Sequence, residues 1–195
     1  MNLYIDTHLN EIVILLENNN KIIKEKTITG EKENSKLIMP TIKKVLGKKK
    51  PENIIVCNGP GSFTGVRLGV TVAKTLAMTL EVPIKTITTL ECLAVSLDKD
   101  KEKIVGFSDN NGYYVGIFDD DYNLIGNYEY LTNNEFDEFN KKYYVNTDIK
   151  INYLDVINYA KEKQSTNHHN VNPIYIKKLD VEKWYVKQII MIYLL

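Results

Sequence analysis

The stretch from Asn58 to Gly69 reads Asn-Gly-Pro-Gly-Ser-Phe-Thr-Gly-Val-Arg-Leu-Gly, and its residue types are the ones in this chain best suited to chemistry. A short apolar run, Asn53 to Cys57, leads into it, and an apolar-periodic run from about Val66 to Leu80 follows it. Glycines at the end of a buried strand permit positive φ or a close backbone approach, and a helix that starts there presents free N–H groups. Such a start can hold an anion. Equally, the glycines can serve only a tight turn and helix–sheet packing. No Gly-Lys-Ser/Thr follows, so this is not a phosphate-cradling P-loop, and the spacing also fails the dinucleotide fingerprint.

Other chemistry-bearing side chains are scattered. Asp6 ends the first apolar run and could act as a metal or phosphate aspartate, but Asp6-Thr7-His8-Leu9-Asn10 lacks the glycine that lets a hairpin wrap a phosphate. A structural turn carboxylate is the plainer reading. His168-His169 lies in a polar stretch with no Cys or carboxylate spaced around it, and His8 is isolated in sequence, so no metal ligand is expected among them. Cys57 and Cys92 each sit in apolar runs and read as core thiols, not as a disulfide framework. The run Lys48-Lys49-Lys50 reads as a solvated connection.

The elements that must position these residues follow from pattern. Leu3 to Asp6, Glu11 to Leu16 and Lys21 to Thr29 read as an antiparallel meander, with Asn18-Asn19-Asn20 as turn chemistry. A helix capped by Asn34 or Ser35 runs to about Leu46, with Pro40 inside it. Then come a central strand (Asn53 to Cys57), the helix from about Val66 to Leu80, a strand from Val82 to Ile87, and a helix opened by the capping box Thr88-x-x-Glu91. The second half echoes that order. Strands are expected at 103–108, 113–118 and 124–130, a helix after the capping box Thr132-x-x-Glu135, a strand at 143–149 and a helix at 153–164. A βββαβα unit repeated in two lobes, 1–98 and a smaller 99–195, is the expectation for an α/β, actin-like or sugar-kinase-like (ribonuclease H-like) fold.

The chain of 195 residues carries 25 basic and 25 acidic side chains, a formal net charge of zero, which is not the field of a protein that grips nucleic acid through phosphates. The start lacks a secretory pattern, and the apolar stretch from Ile189 to Leu195 is far shorter than the roughly 20 residues of a spanning helix, so cytoplasmic residence is expected. Twenty-four of the 25 basic residues are lysine; the only arginine, Arg67, stands at the start of the helix expected from about Val66 to Leu80. Its retention suggests a need for a flat, forked guanidinium, for a bidentate carboxylate or a phosphate. On that helix the residues from Gly65 to Leu80 place apolar side chains over an arc of roughly 200°, about twice what one sheet contact requires. Gly65, Gly69, Ala73 and Ala77, spaced by four, leave one flank thin enough for a second backbone, either of this chain or of a partner.

The run Gly59-Pro60-Gly61-Ser62-Phe63-Thr64-Gly65-Val66-Arg67-Leu68-Gly69, with Ala73-Lys74 and Leu76-Ala77, resembles the signature of the TsaB (YeaZ) family. Ile5-Asp6-Thr7, Ser35-Lys36-Leu37-Ile38-Met39-Pro40, Pro83, Thr89-Leu90-Glu91 and Pro173-Ile174-Tyr175-Ile176-Lys177 fall in the family's order. The likeness is good from Leu3 to about Ala94, thin from 95 to 170, and returns at Pro173. Asn34 stands where the family often has His, and Lys177 where it has Arg.

The resemblance implies a non-catalytic paralogue of TsaD that pairs with that larger subunit and with the ATPase TsaE. Together they install threonylcarbamoyl on the adenosine 3′ of the anticodon in tRNA. It also implies that ATP and metal sit on partner subunits, with none bound by this chain alone. Pairing, with a homodimer through the same face as a variant, would use Ser62, Phe63, Thr64, Gly65, Arg67, Gly69, Ala73 and Ala77 together with Leu37, Pro40 and Thr41. Aligned on the glycine loop, Thr89 and Leu93 occupy the places of the catalytic relative's two metal-binding histidines. Two other classes stay open: an ATP-dependent phosphotransferase of the same superfamily, and a peptidase.

Overall fold

Unbroken apolar runs build the centre of the first sheet, because both of its faces are covered. In the computed structural model, which describes residues 1–9, 11–29, 34–98 and 102–177, β1 (Asn2–Asp6) pairs antiparallel with β2 (Glu11–Asn18), and β2 with β3 (Lys21–Thr29). The turn between β2 and β3 places Asn19 and Asn20 at φ of 50° and 60°, the left-handed region that Asn tolerates. On its other side β1 pairs in parallel with β4 (Asn53–Cys57), and β4 with β5 (Ile84–Ile87), giving the order β3-β2-β1-β4-β5. Strand β3 is an edge strand bearing Lys21, Lys24 and Lys26, charges that discourage further strand addition.

Leu3, Ile5, Ile12, Ile14, Leu16, Ile54 and Val56 point to one face, where α1 (Asn34–Leu46) and α2 (Phe63–Leu80) pack. Tyr4, Val13, Leu15, Ile55, Cys57 and Ile87 point to the other, where α3 (Thr89–Val95) and α5 (Tyr153–Glu162) pack. Helix α2 begins three residues before the apolar period suggests, because Ser62 caps it, its hydroxyl accepting from the Gly65 N–H. Pro40 is accommodated inside α1 on its exposed side. The Thr88 capping box forms with both hydrogen bonds in place.

The second lobe holds β6 (Ile104–Asp109), β7 (Gly112–Ile117) and β8 (Glu129–Thr132), antiparallel in that order, with α4 (Asn133–Tyr143) against the side away from α3. Two expected strands are reduced. Leu124 makes only a single bridge to Phe118, and β8 forms later, at 129–132. The strand expected at 143–149 is one parallel bridge, Asn146 to Val105, in the position that β4 holds beside β1. Tyr144 closes α4 at φ 49°, and Asn146 forms the bridge with two backbone bonds, to Gly106 and Ile104, to which its side chain adds bonds to the carbonyls of Glu102 and Ile104. The chain then returns α5 to the first sheet, where Val156, Ile157 and Ala160 are fully buried. The stretch 165–172 is a loop with one 3-10 turn, His168–Asn170. The apolar stretch from Ile189 to Leu195 lies outside the described residues.

Candidate functional site: the signature helix and the cleft between lobes

The signature glycines are consumed by β1. The Thr7 hydroxyl donates to the Gly65 carbonyl at 2.6 Å, and a Cβ on Gly65 would strike the Thr7 carbonyl. One turn on, a Cβ on Gly69 would strike the Thr7 hydroxyl. Ala73 and Ala77 continue that stripe into the sheet core and are 0% and 2% exposed. The thin flank therefore receives the chain's own β1 and β4. Gly69, Ala73, Ala77 and the buried Thr41 are not available as surface for a partner, because a helix must approach its own sheet closely where the first strand ends.

Among the described residues, the neighbouring stripe Leu68, Val72 and Leu76 is only half-buried against the core, and on the same layer of helices Leu37 is half-buried and Pro40, Met39 and Met78 are exposed. Ser62, Phe63, Thr64 and Arg67 lie exposed at the start of α2, and Gly65 is half-buried.

Arg67 has an intramolecular use. Its guanidinium carbon sits 3.6 Å from the centroid of the Phe63 ring, and its Nε–H donates to the Tyr175 hydroxyl at 2.7 Å. Phe63 and Tyr175 are themselves 5.3 Å apart. The flat fork inferred from the lone arginine is used, but on an aromatic pair within the chain. This clasp holds the segment 172–177, which is stitched on by Ile174 N–H to the Asn58 carbonyl and by Asn58 Nδ2 to the Asn172 carbonyl. At its end Lys177 pairs with Asp109 at 3.0 Å, and Tyr130 donates to the same carboxylate at 2.7 Å. Partial burial works against the Lys177 ammonium, yet hydrogen bonds to Tyr130 and Asp109 hold its pKa above the usual lysine range. Burial likewise pushes Asp109 up, but the Asn111 N–H, Tyr130 and Lys177 together hold it below the usual carboxylate value.

These groups wall a cleft of about 1130 Å³ between the lobes, bounded by His8, the loop 60–63 and Arg67 on one side and by Phe107 to Asn111 on the other. Beneath its floor the fold assembles what the sequence kept apart. His8 Nδ1 lies 2.5 Å from Asp6 Oδ1 and 3.6 Å from Cys57 Sγ, with all three residues buried. Tyr4 donates to the other Asp6 oxygen at 3.0 Å, and Cys92 Sγ lies 3.6 Å from the Tyr4 hydroxyl. Burial disfavours the His8 cation, but the Asp6 charge outweighs it and holds the imidazole well above its ordinary pKa. Burial also raises Asp6, and His8 overcomes that to hold it low. Burial, a bond to Cys92 and the Asp6 charge push the Cys57 thiol up.

The set is not a nucleophile relay. A Cys–His–Asp relay passes its proton through both ring nitrogens, whereas here thiol and carboxylate meet the same one, and the thiol is held protonated. Asp6 is thus a turn carboxylate, accepting from the His8 N–H at 3.0 Å, and at the same time the buried ion-pair partner of the His8 ring. The spacing of Asp6 and His8 by two, which puts alternate residues on one side of an extended chain, was the available signal. Cys57, 49 residues away, had none. His168 and His169 remain on the exposed loop, 4.2 Å apart ring to ring, and Thr89 donates to the Pro60 carbonyl.

Two lobes, each a sheet with helices, the first carrying the glycine-turned helix at an interlobe cleft, define a protein of the actin-like, sugar-kinase-like class. Residues 20–178 match the family described as TsaD: tRNA N6-adenosine threonylcarbamoyltransferase. The chain belongs to this family, on its TsaB (YeaZ) side. It is 39% identical over 99 residues to the tRNA threonylcarbamoyladenosine biosynthesis protein TsaB of Bacillus subtilis, a match covering 48% of this chain and 43% of that protein. The TsaB of Buchnera aphidicola from Schizaphis graminum is 37% identical over 79 residues, 38% of each chain. The chain thus spans less than half the length of the curated relatives it matches. Among solved structures, two YeaZ-type proteins of Pseudomonas aeruginosa share the fold. One, described as similar to peptidase YEAZ, has a TM-score of 0.73 at 15% identity, covering 90% of this chain and 99% of its own. The other has 0.71 at 16%, covering 89% and 98%.

Proposed function

We propose that this chain is a non-catalytic scaffold subunit in the formation of threonylcarbamoyladenosine in tRNA. In this reading it docks a larger, TsaD-like catalytic relative through α1 and α2. The observation that carries the proposal is the half-buried aliphatic stripe Leu68, Val72 and Leu76 of α2, with Met78 exposed on the same helix, while α1 leaves Leu37 half-buried and Met39 and Pro40 exposed. An apolar face of this kind, rimmed by polar threonines, is a protein-binding surface in form. Ser62, Phe63, Thr64 and Arg67 extend the same surface toward the cleft.

The names of the curated relatives support the pathway, and a net charge of zero suits a subunit that leaves the tRNA to its partner. ATP and the metal that serves catalysis would lie on that partner and on a TsaE-like ATPase, and self-association would use the same stripe. Titration of the purified chain against its TsaD-like relative tests the reading. Val72→Lys should leave circular dichroism native and weaken association at least about tenfold, or ~1.4 kcal/mol. Unchanged affinity, or ATP turnover by the isolated chain that is lost in Asp6→Ala, overturns it.

A further inference from the structure

We propose that Asp6, His8 and Cys57 form a site for a thiophilic divalent cation, zinc in first place, at the floor of the interlobe cleft. The three donor atoms, Oδ1, Nδ1 and Sγ, all lie within 4.8 Å of one another, and each belongs to a fully buried residue. The Asp6 and His8 side chains are only 3% exposed. One ring N–H cannot serve two acceptors at once. His8 Nδ1 already meets the carboxylate at 2.5 Å, so Cys57 Sγ, 3.6 Å away, is left facing the same nitrogen without a good hydrogen bond to it. The Thr89 hydroxyl, 3.5 Å from the sulfur, donates to the Pro60 carbonyl and leaves a lone pair to accept from the Cys57 thiol, a weak S–H···O bond that a bound ion would replace.

Zinc bonds of ~2.0–2.1 Å to nitrogen and oxygen and ~2.3 Å to sulfur put tetrahedral ligand atoms roughly 3.3–3.6 Å apart. The nitrogen–sulfur edge of 3.6 Å already has that length, and the oxygen–nitrogen edge reaches it by a small rotation of the Asp6 carboxylate, which breaks the hydrogen bond the ion replaces. A thiolate, an imidazole and a carboxylate together select zinc and its neighbours over magnesium or calcium. Outer hydrogen bonds are in place: the Tyr4 hydroxyl donates to Asp6 Oδ2, and the His8 N–H donates to Oδ1 at 3.0 Å. Water from the cleft, which His8 lines, supplies the fourth ligand.

Charge and protons balance simply. The hydrated cation loses water to the three side chains, the thiol proton of Cys57 and the Nδ1 proton of His8 pass to solvent, and the carboxylate enters already ionised. The ion ties β1 to the end of β4. It also secures the signature loop, because the His8 carbonyl accepts from the Ser62 N–H at 2.7 Å. Occupancy would therefore steady the start of α2, where Phe63 and Arg67 sit.

Cobalt titration of the full-length, chelator-stripped protein tests this directly. The expected result is a thiolate-to-cobalt charge-transfer band with tetrahedral visible bands at one equivalent, displaced by zinc, and a rise in melting temperature with zinc. Cys57→Ser should abolish the charge-transfer band, and His8→Asn should weaken zinc at least tenfold in competition with a chromophoric chelator. Cys92→Ser and the double change His168→Ala, His169→Ala should leave both intact. Should Cys57→Ser not fold, loss of zinc-induced stabilisation in His8→Asn carries the test. Absence of the band in folded wild-type protein, or a band that survives Cys57→Ser but vanishes in Cys92→Ser, overturns the site.

Discussion

The clasp of Arg67 on Phe63 and Tyr175 gives the chain's only arginine a measurable worth. A guanidinium at 3.6 Å from the Phe63 centroid contributes about 0.5–1 kcal/mol at an exposed position. The 2.7 Å bond from Nε–H to the Tyr175 hydroxyl adds about 0.5–1 kcal/mol, the lower part of the usual range because both groups are exposed. Arg67→Ala should thus cost about 1–2 kcal/mol. Arg67→Lys should cost about 0.5–1 kcal/mol, since an ammonium keeps the ring contact but has no in-plane Nε–H. Tyr175→Phe removes the acceptor alone and keeps the 5.3 Å ring pair with Phe63. Urea unfolding of the two single variants and the double variant Arg67→Ala, Tyr175→Phe yields the coupling energy. A value of about 0.5–1 kcal/mol is expected. Amide exchange should speed up at Ile174, whose N–H bonds the Asn58 carbonyl, without a change in the central strands. A coupling near zero with unaltered exchange at Ile174 refutes the clasp and returns Arg67 to the solvent or to a partner.

Gly69→Ala should cost about 1–3 kcal/mol by overpacking against Thr7, and adding Thr7→Ala should recover part of it, seen as a double variant milder than the sum in thermal unfolding. Ala73→Arg should abolish folding by circular dichroism, since the site is fully buried and a charge there lacks a partner; a native spectrum would place this flank outside the core. Thr88→Ala should lower stability by ~1–2 kcal/mol through loss of the α3 cap, and Thr88→Ser should restore most of it in the same melts. Asp109, held low, adds stability above its ordinary pKa that is lost as pH falls through the folded value. Lys177, held high, adds stability that is lost as pH rises through its own. The stability gap between wild type and Asp109→Asn should therefore be largest at neutral pH and close in acid; a gap that widens in acid contradicts this assignment.

The local chemistry of the chain was sufficient for most elements of the first lobe. The apolar runs Leu3 to Ile5 and Ile12 to Leu16, the Asn18–Asn20 turn, and the capping boxes at Thr88 and Thr132 all act over a few residues, so sequence alone determined them. The glycine-turned signature helix was legible for the same reason, with its start displaced only by the Ser62 cap. What each face of that helix touches was decided in three dimensions. The stripe Gly65, Gly69, Ala73, Ala77 is symmetric between a partner and the chain's own sheet, and only the path of β1, bringing Thr7 against Gly65 and Gly69, chose the sheet. The second lobe was less legible, because its strands at 124 and 146 shrink to single bridges of a few backbone bonds, too short for any periodicity to announce. Above all, the meeting of Asp6, His8 and Cys57 depends on the parallel pairing of β1 with β4, a contact between residues some fifty positions apart. Pairing of that range is set by the burial of two whole sheet faces, a sum over the entire core, and not by anything the three residues carry themselves.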